Sequence, residues 1–131
     1  MDNVIQYAKY VGAGIATVLT YLYGGFDMIL WVLIAMVVID YITGVLCGAC
    51  TRTLNSEIGY RGIAKKIGIF LVVAVAHILG QAANIPEIRS LVIGFYIANE
   101  GISILENAGK TGIPVPKKLL DALEQLKGEN E

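Results

Sequence analysis

Two carboxylates and one imidazole stand inside long apolar stretches of the sequence, where charged side chains are rare. They belong to Asp40, Glu100 and the single histidine, His77. A charged group inside a membrane span costs at least about 2.5 kcal/mol on insertion scales, so such groups usually face a protein interior or a water path. Asp40 and Glu100 are therefore predicted to line a seam between helices or subunits and to sense the membrane potential.

A purely structural role for these side chains is the alternative. Each carboxylate would then only fix packing, through a hydroxyl group one turn away. Thr43 and Ser103 carry such groups, and Glu100 could also reach the membrane surface by snorkelling. His77 is expected to be a neutral, hydrogen-bonded packing residue, with pairing to one of the carboxylates as the less favoured reading.

Several function classes are excluded by the remaining reactive residues. Cys47 and Cys50 form Cys-Gly-Ala-Cys, but two thiols supply at most half a zinc site, and a redox pair of this spacing normally begins a helix beside a strand. A catalytic triad is not expected, because the one histidine lies at membrane depth. The net charge of −1, without a broad basic stripe, argues against a nucleic-acid partner. We expect no enzyme activity, no metal and no cofactor.

The elements that hold these residues are apolar stretches of membrane-spanning length. Hydrophobic residues make up 56% of the 131 residues and charged residues only 16%, against about 25% charged in soluble domains. A soluble domain of this size could not bury so much apolar surface. Spans are predicted over about 10–26, 28–50, 67–86 and 88–106, near the ~20 apolar residues that cross a ~30 Å hydrocarbon layer.

The sequence therefore predicts an all-α integral membrane protein with short loops, since the apolar stretches are solid rather than alternating. Four transmembrane helices are preferred; the alternative is three, with one marginal stretch lying in the interface. The transmembrane domain covers 1–108, and 109–131 form a cytoplasmic tail. Leucines form one stripe on a short amphipathic helix at 117–127. That helix could lie on the inner leaflet, pack on another protomer or be a frayed tail.

Lysine and arginine positions predict the orientation. With four spans, nine basic residues fall on one side and only Arg89 on the other, so both termini are predicted to be cytoplasmic. The largest connection is an inner loop predicted over 51–66. Four lysines are expected to anchor the chain at anionic headgroups: Lys65, Lys66, Lys117 and Lys118.

Small residues recur at helix-packing spacing. Gly44 and Gly48 form a GxxxG pair in the second span, and Gly94 begins a looser pair of small residues in the fourth. Small residues let helix backbones approach closely in lipid. The spacing predicts helix packing, either within one subunit or between subunits.

Local strings in the second span, in the inner loop and around the end of the fourth span resemble a known family. They are DYITG at 40–44, LNS at 54–56, the lysine pair at 65–66, and FYIANEGISILENAG at 95–109 followed by Pro114 and Pro116. Together, over roughly 27–126, they resemble the phage lysis and toxin-secretion holin family of Gram-positive hosts.

The resemblance implies a holin, which accumulates in the host cytoplasmic membrane and oligomerises at a set time to form lesions. The expected partners are the lipid bilayer, further copies of the chain, and a cytoplasmic endolysin or a large toxin as cargo. The resemblance implies no catalytic residues. A small channel or transporter subunit, conducting through Asp40 and Glu100, and an antiholin that inhibits a partner holin are the alternatives.

Overall fold

Five α-helices make up the described structure. A computed structural model describes residues 1–130, and no β-strand occurs among them. The predicted all-helical class is confirmed. The last residue of the tail predicted over 109–131, Glu131, lies outside the described residues. The helices are α1 (Asp2–Tyr23), α2 (Met28–Thr51), α3 (Ser56–Ala82), α4 (Glu87–Lys110) and α5 (Lys117–Asn130).

Helix α4 is the centre of the bundle. Within the described chain it packs against α2, α3 and α5, whereas α2 and α3 touch each other much less. The contacts between α2, α3 and α4 are made by branched aliphatic side chains, which pack closely without polar atoms. The buried members of this core are Leu30, Leu33, Val37, Ile69, Val73 and Ile93.

Three helices are long and apolar enough to cross a membrane, namely α2, α3 and α4. A helix of 24 residues, the length of α2 and α4, is about 36 Å long at 1.5 Å per residue, and it exceeds the ~30 Å hydrocarbon layer. Helix α1 does not belong to this set, because its 22 residues include Asp2 and Lys9 besides polar tyrosines and threonines. The predicted crossing over 10–26 therefore stays a prediction.

Helix α1 extends away from the other helices. None of its residues is buried, and among the described helices its packing contacts are with α3, besides the hydrogen bond that the carbonyl oxygen of Tyr23 accepts from Arg89 of α4. Residues 1–18 are all exposed. The contact with α3 is made near the C-terminal end of α1, where Thr20 and Tyr21 share a cavity with Ile78 and Gln81.

The predicted inner loop over 51–66 is wrong, because α3 begins at Ser56. Asn55 caps the helix: its side-chain oxygen accepts a hydrogen bond from the backbone N–H of Ile58 at 2.8 Å, which satisfies an otherwise unpaired donor. The connection from α2 is closed by the N–H groups of Thr53 and Leu54, which both donate to the carbonyl oxygen of Gly48. Lys65 and Lys66 consequently lie inside a helix.

The turn between α1 and α2 is fastened by Arg89 of α4. Its Nε donates to the carbonyl oxygen of Tyr23 at 2.5 Å, and its two Nη atoms donate to the Asp27 carboxylate at 2.8 and 2.9 Å. The same guanidinium donates to the carbonyl oxygen of Gly25. Hydrogen bonding from Arg89 lowers the pKa of the Asp27 carboxyl. One buried cation thus holds the turn that joins α1 to the bundle.

Candidate functional site

A cluster of three charged side chains joins α2, α3 and α4. The Nζ of Lys66 makes ion pairs with Oδ2 of Asp40 and, at 2.6 Å, with Oε2 of Glu100. The two carboxylate side chains are only 7% and 2% exposed, and the lysine side chain 15%. Two carboxylates share one ammonium, so the cluster carries one uncompensated negative charge when all three groups are ionised.

An amide and a hydroxyl complete the cluster. Nδ2 of Asn107 donates to Oδ1 of Asp40 at 3.2 Å and to Oγ1 of Thr43 at 3.1 Å. The Thr43 hydroxyl in turn donates to the backbone carbonyl oxygen of Asp40. Asn107, two turns after Glu100 on α4, therefore ties α4 to α2, and it satisfies the Asp40 oxygen that the lysine leaves free.

The cluster lies near the middle of the spanning helices. Asp40 is at the midpoint of α2 (Met28–Thr51), and Glu100 is within two residues of the midpoint of α4 (Glu87–Lys110). A bilayer centred on these helices places the charges close to its midplane. Charged groups at that depth cost about 2.5–3.5 kcal/mol each on insertion scales, and they are tolerated when they pair inside the protein.

A cavity of about 270 Å³ adjoins the cluster between α2 and α3. Asp40 and Lys66 line one part of it, and Tyr41, Leu54 and Ile58 line the part that leads to the α2–α3 connection. The space and its polar groups are sufficient to hold water. The cluster thus borders a space that extends toward the α2–α3 connection.

The structure brings together two of the three intramembrane residues singled out from the sequence. Asp40 and Glu100 lie in a seam between helices, and the nearly complete burial of Glu100 does not agree with snorkelling to the membrane surface. Their common partner is Lys66, which the sequence analysis placed at the headgroups. Helix α3 begins ten residues before Lys66, and this is why its ammonium reaches the bundle interior instead.

His77 lies apart from the charge cluster. Its imidazole sits beneath the turn at Gly24, where a Cβ on Gly24 would lie 2.6 Å from the ring. Nδ1 of His77 is buried and has no hydrogen-bond partner among the described residues. His77 is therefore a packing residue between α1 and α3 that pairs with neither carboxylate, and the hydrogen bond expected for it is not seen at Nδ1.

The glycines of the second span are used inside the subunit. A Cβ on Gly44 would lie 3.6 Å from Nδ2 of Asn107, and a Cβ on Gly48 would lie 3.2 Å from Cβ of Leu54. Gly44 thus admits α4, and Gly48 admits the α2–α3 connection. Gly94 lies half-buried in α4.

The other lysines expected at headgroups are exposed: Lys65 on α3, and Lys117 and Lys118 at the start of α5. Cys47 is buried, Cys50 is exposed and both thiols are free. Within residues 1–130, no group of three or more His, Cys, Asp or Glu side chains is arranged to hold a metal ion.

Two parts of this arrangement escaped the sequence analysis. Lys66 was missed as an ion-pair partner, although the capping sequence at Asn55 would have extended α3 far enough to place it at span depth. The pair of Arg89 with Asp27 was also missed. The sequence signal for this pair was the opposite charge of the two residues. Asp27 lies beside the turn between α1 and α2, Arg89 lies beside the turn between α3 and α4, and both turns are at the same end of the bundle.

The fold and the cluster together define a class of protein: a small helical membrane protein in which the charged side chains within the apolar helices are paired inside one bundle. Comparison with known families narrows this class. The family model of the bacteriophage holin family matches residues 17–128. The chain belongs to this family, which is not an enzyme family, and the suspected relationship to phage holins is confirmed.

The chain is also similar to bacterial proteins along nearly its whole length. An uncharacterised 14.9 kDa protein in the nagH 3′ region of Clostridium perfringens is 42% identical over 96% of this chain and 97% of its own. Uncharacterised proteins of Halalkalibacterium halodurans and Listeria monocytogenes are 40% and 42% identical, over 92% and 94% of this chain and 94% and 91% of theirs. No solved structure matches the chain.

Proposed function

We propose that copies of this chain accumulate in the bacterial cytoplasmic membrane and assemble there into lesions that release a cytoplasmic endolysin or a large toxin. Membership of the holin family carries this proposal. The proposed partners of the chain are then the lipid bilayer and further copies of the chain, and the released endolysin acts on the neighbouring peptidoglycan. No side chain of this chain has to take part in a chemical reaction.

The surface of the bundle supports the proposal. Large apolar side chains are exposed along α2 and α3, while the charges at the same depth are paired inside. A subunit of this kind is compatible with lipid and can collect in the bilayer before it assembles. The exposed apolar side chains include Trp31, Val38, Ile42, Leu71 and Val75.

The burial of the cluster does not favour the channel alternative. A permanent conduction path through Asp40 and Glu100 needs both carboxylates along an open route. In the described subunit, Glu100 is 2% exposed and both carboxylates bind the same ammonium.

Passage of a folded enzyme requires several subunits. A folded endolysin is roughly 40 Å across by the usual domain radii, so the surrounding wall is roughly 150 Å around. At about 9 Å per helix, this wall needs about 17 helices. A subunit with three or four spans supplies a fraction of them, and a homo-oligomer follows from the size of the cargo.

The orientation of the spans is part of the proposal. If α2, α3 and α4 cross, the basic residues at the α2–α3 connection and after α4 favour a cytoplasmic position for both regions. The C-terminal end is then cytoplasmic with three spans or four, and only the N-terminus depends on whether α1 crosses. Labelling of Asn3→Cys and Ile113→Cys with an impermeant maleimide, in a background without Cys47 and Cys50, distinguishes the two cases.

The function is tested by timed expression in a bacterial host that also produces a cytoplasmic endolysin. We expect growth to continue and then to stop abruptly, with lysis that depends on the endolysin. An endolysin without catalytic activity is the control, because membrane damage alone should then stop growth without dissolving the wall. Steady ion flux from the start of expression would instead support a channel, and delayed lysis by a partner holin would support an antiholin.

A further inference from the structure

Helix α5 folds back along α4 instead of extending from the bundle. Leu123 of α5 packs on Gly101 of α4, where an added Cβ would lie 3.2 Å from Cδ1 of Leu123 and 3.1 Å from Cε of Met36 on α2. Among the described helices, α5 packs against α4 alone. Gly101 thus forms a shallow site that receives one leucine of α5 beside α2.

This contact lies deep in the spanning region. Gly101 directly follows Glu100, whose carboxylate shares an ammonium with Asp40 at the midpoint of α2. It lies nine residues before the C-terminal end of α4, which is about 14 Å along the helix axis. The ~30 Å hydrocarbon layer extends about 15 Å on each side of its midplane, so the docked α5 reaches close to the middle of the bilayer.

The outward side of the docked α5 carries two carboxylates at this depth, besides the exposed leucines Leu119 and Leu126. Asp121 and Glu124 lie within one turn of Leu123 and both side chains are exposed. At the same level, α2 exposes the apolar side chains of Val38 and Ile39. Lipid suits the surface of α2, whereas it disfavours two carboxylates in mid-bilayer.

We infer that the surface formed by α4 and the docked α5 faces water and lines the aqueous passage that the assembled subunits enclose, while the exposed surfaces of α2 and α3 face lipid. This inference rests on the proposed function and adds which side of the subunit faces the passage. A subunit alone in lipid keeps α5 in the cytoplasm, because docking would place Asp121 and Glu124 against hydrocarbon. Docking of α5 and opening of the passage therefore favour each other: the open passage supplies water to the carboxylates of the docked α5, and the docked α5 supplies a polar lining to the passage.

The inference is tested with full-length protein in vesicles of phosphatidylethanolamine and phosphatidylglycerol. Single cysteines, in a background without Cys47 and Cys50, carry nitroxide labels at Glu124→Cys and, as the control of matched depth, at Val38→Cys. Collision with a water-soluble nickel chelate and with oxygen, which partitions into lipid, is measured at each label. Release of an entrapped dye is measured in the same vesicles.

A second variant reports docking. Gly101→Cys combined with Leu123→Cys places two thiols at the contact, and disulfide formation under mild oxidation shows that α5 lies on α4. In vesicles that release dye, we expect efficient formation of this disulfide and severalfold more collision with the chelate at Glu124→Cys than at Val38→Cys. In vesicles with protein too dilute to release dye, we expect the disulfide to be largely lost.

Two results would overturn the inference while leaving the proposed function intact. One is dye release without the disulfide, because α5 would then be away from α4 in the open assembly. The other is formation of the disulfide together with a label at Glu124→Cys that collides mainly with oxygen and little with the chelate. This is the pattern expected for the lipid-facing label at Val38→Cys. Absence of dye release at every protein density would instead count against the proposed function and, because the inference rests on it, against the inference too.

Discussion

Replacing Lys66 by methionine should destabilise the bundle far more than the same replacement at Lys65. The two residues are neighbours on α3, but Lys65 is exposed whereas the Lys66 ammonium is shared by Asp40 and Glu100. Methionine retains much of the apolar stem and removes the charge. Two buried carboxylates then lose their counter-charge near the middle of the bundle.

The magnitude follows from the burial of the three groups. Removing one partner of a buried ion pair costs about 3–5 kcal/mol, because an uncompensated charge remains. An exposed lysine replaced away from such contacts changes stability by about 0.5 kcal/mol or less. The difference of about 2.5 kcal/mol or more corresponds to a change of at least roughly seventyfold in the ratio of unfolded to folded protein.

The assay is titration of the purified protein from a mild detergent into sodium dodecyl sulfate, with loss of tertiary structure followed by tryptophan fluorescence from Trp31. Lys66→Met should unfold at a much lower dodecyl sulfate fraction than Lys65→Met. Adding Asp40→Asn and Glu100→Gln to Lys66→Met should restore part of the loss, because amides leave no charge unpaired. If Lys66→Met and Lys65→Met unfold together, the ammonium does not hold the carboxylates in the bundle.

Four further outcomes are expected from the same titration. Arg89→Gln should lower stability by about 1–3 kcal/mol, because hydrogen bonds to charged partners are lost. The pKa of Asp27 is lowered in the folded state. The stability that Asp27 contributes is therefore complete above its ordinary pKa of about 3.9, and it is lost as pH falls through the lower pKa of the folded state. Arg89→Gln should remove most of this acid dependence of stability. Asn107→Leu should cost about 1–3 kcal/mol, since Asp40 loses a donor. Gly80→Ala should cost about 1–3 kcal/mol, because the new Cβ would lie 2.8 Å from a backbone carbonyl oxygen. If any of these three variants is as stable as the original protein, the contact assigned to that residue is contradicted.

Helix positions were predictable where apolar length alone determines them. The span predicted over 28–50 differs by one residue from α2, Met28–Thr51, because uncharged residues in a run of that length have no other stable arrangement in lipid. The start of α3 was not found in this way. Polar residues of the sequence NSEIGYRG suggested a loop, yet the Asn55 cap and the ion pair of Arg61 with Glu57 support a helix there.

The candidate site was predictable in part for the same reason. Asp40 and Glu100 could be selected from depth alone, since a charge within an apolar run is costly wherever the helices pack. Their partner could not, because the expected loop put Lys66 outside the span. The place of His77 was not revealed by depth either. His77 lies five residues before the C-terminal end of α3, and its side chain points toward Gly24 because of the way α1 meets α3.

The internal pairing of these charges limits how copies of the subunit could associate. Asp40, Lys66 and Glu100 are occupied with one another, and Gly44 and Gly48 already accommodate contacts within the chain. The proposed assembly would then use apolar side chains and van der Waals packing, which give association in lipid little directionality. Such contacts are individually weak, so association depends strongly on subunit density. The accumulation and abrupt assembly proposed above call for contacts of this kind, and the pairing of the interior charges leaves apolar side chains such as Val38 and Val75 exposed on α2 and α3.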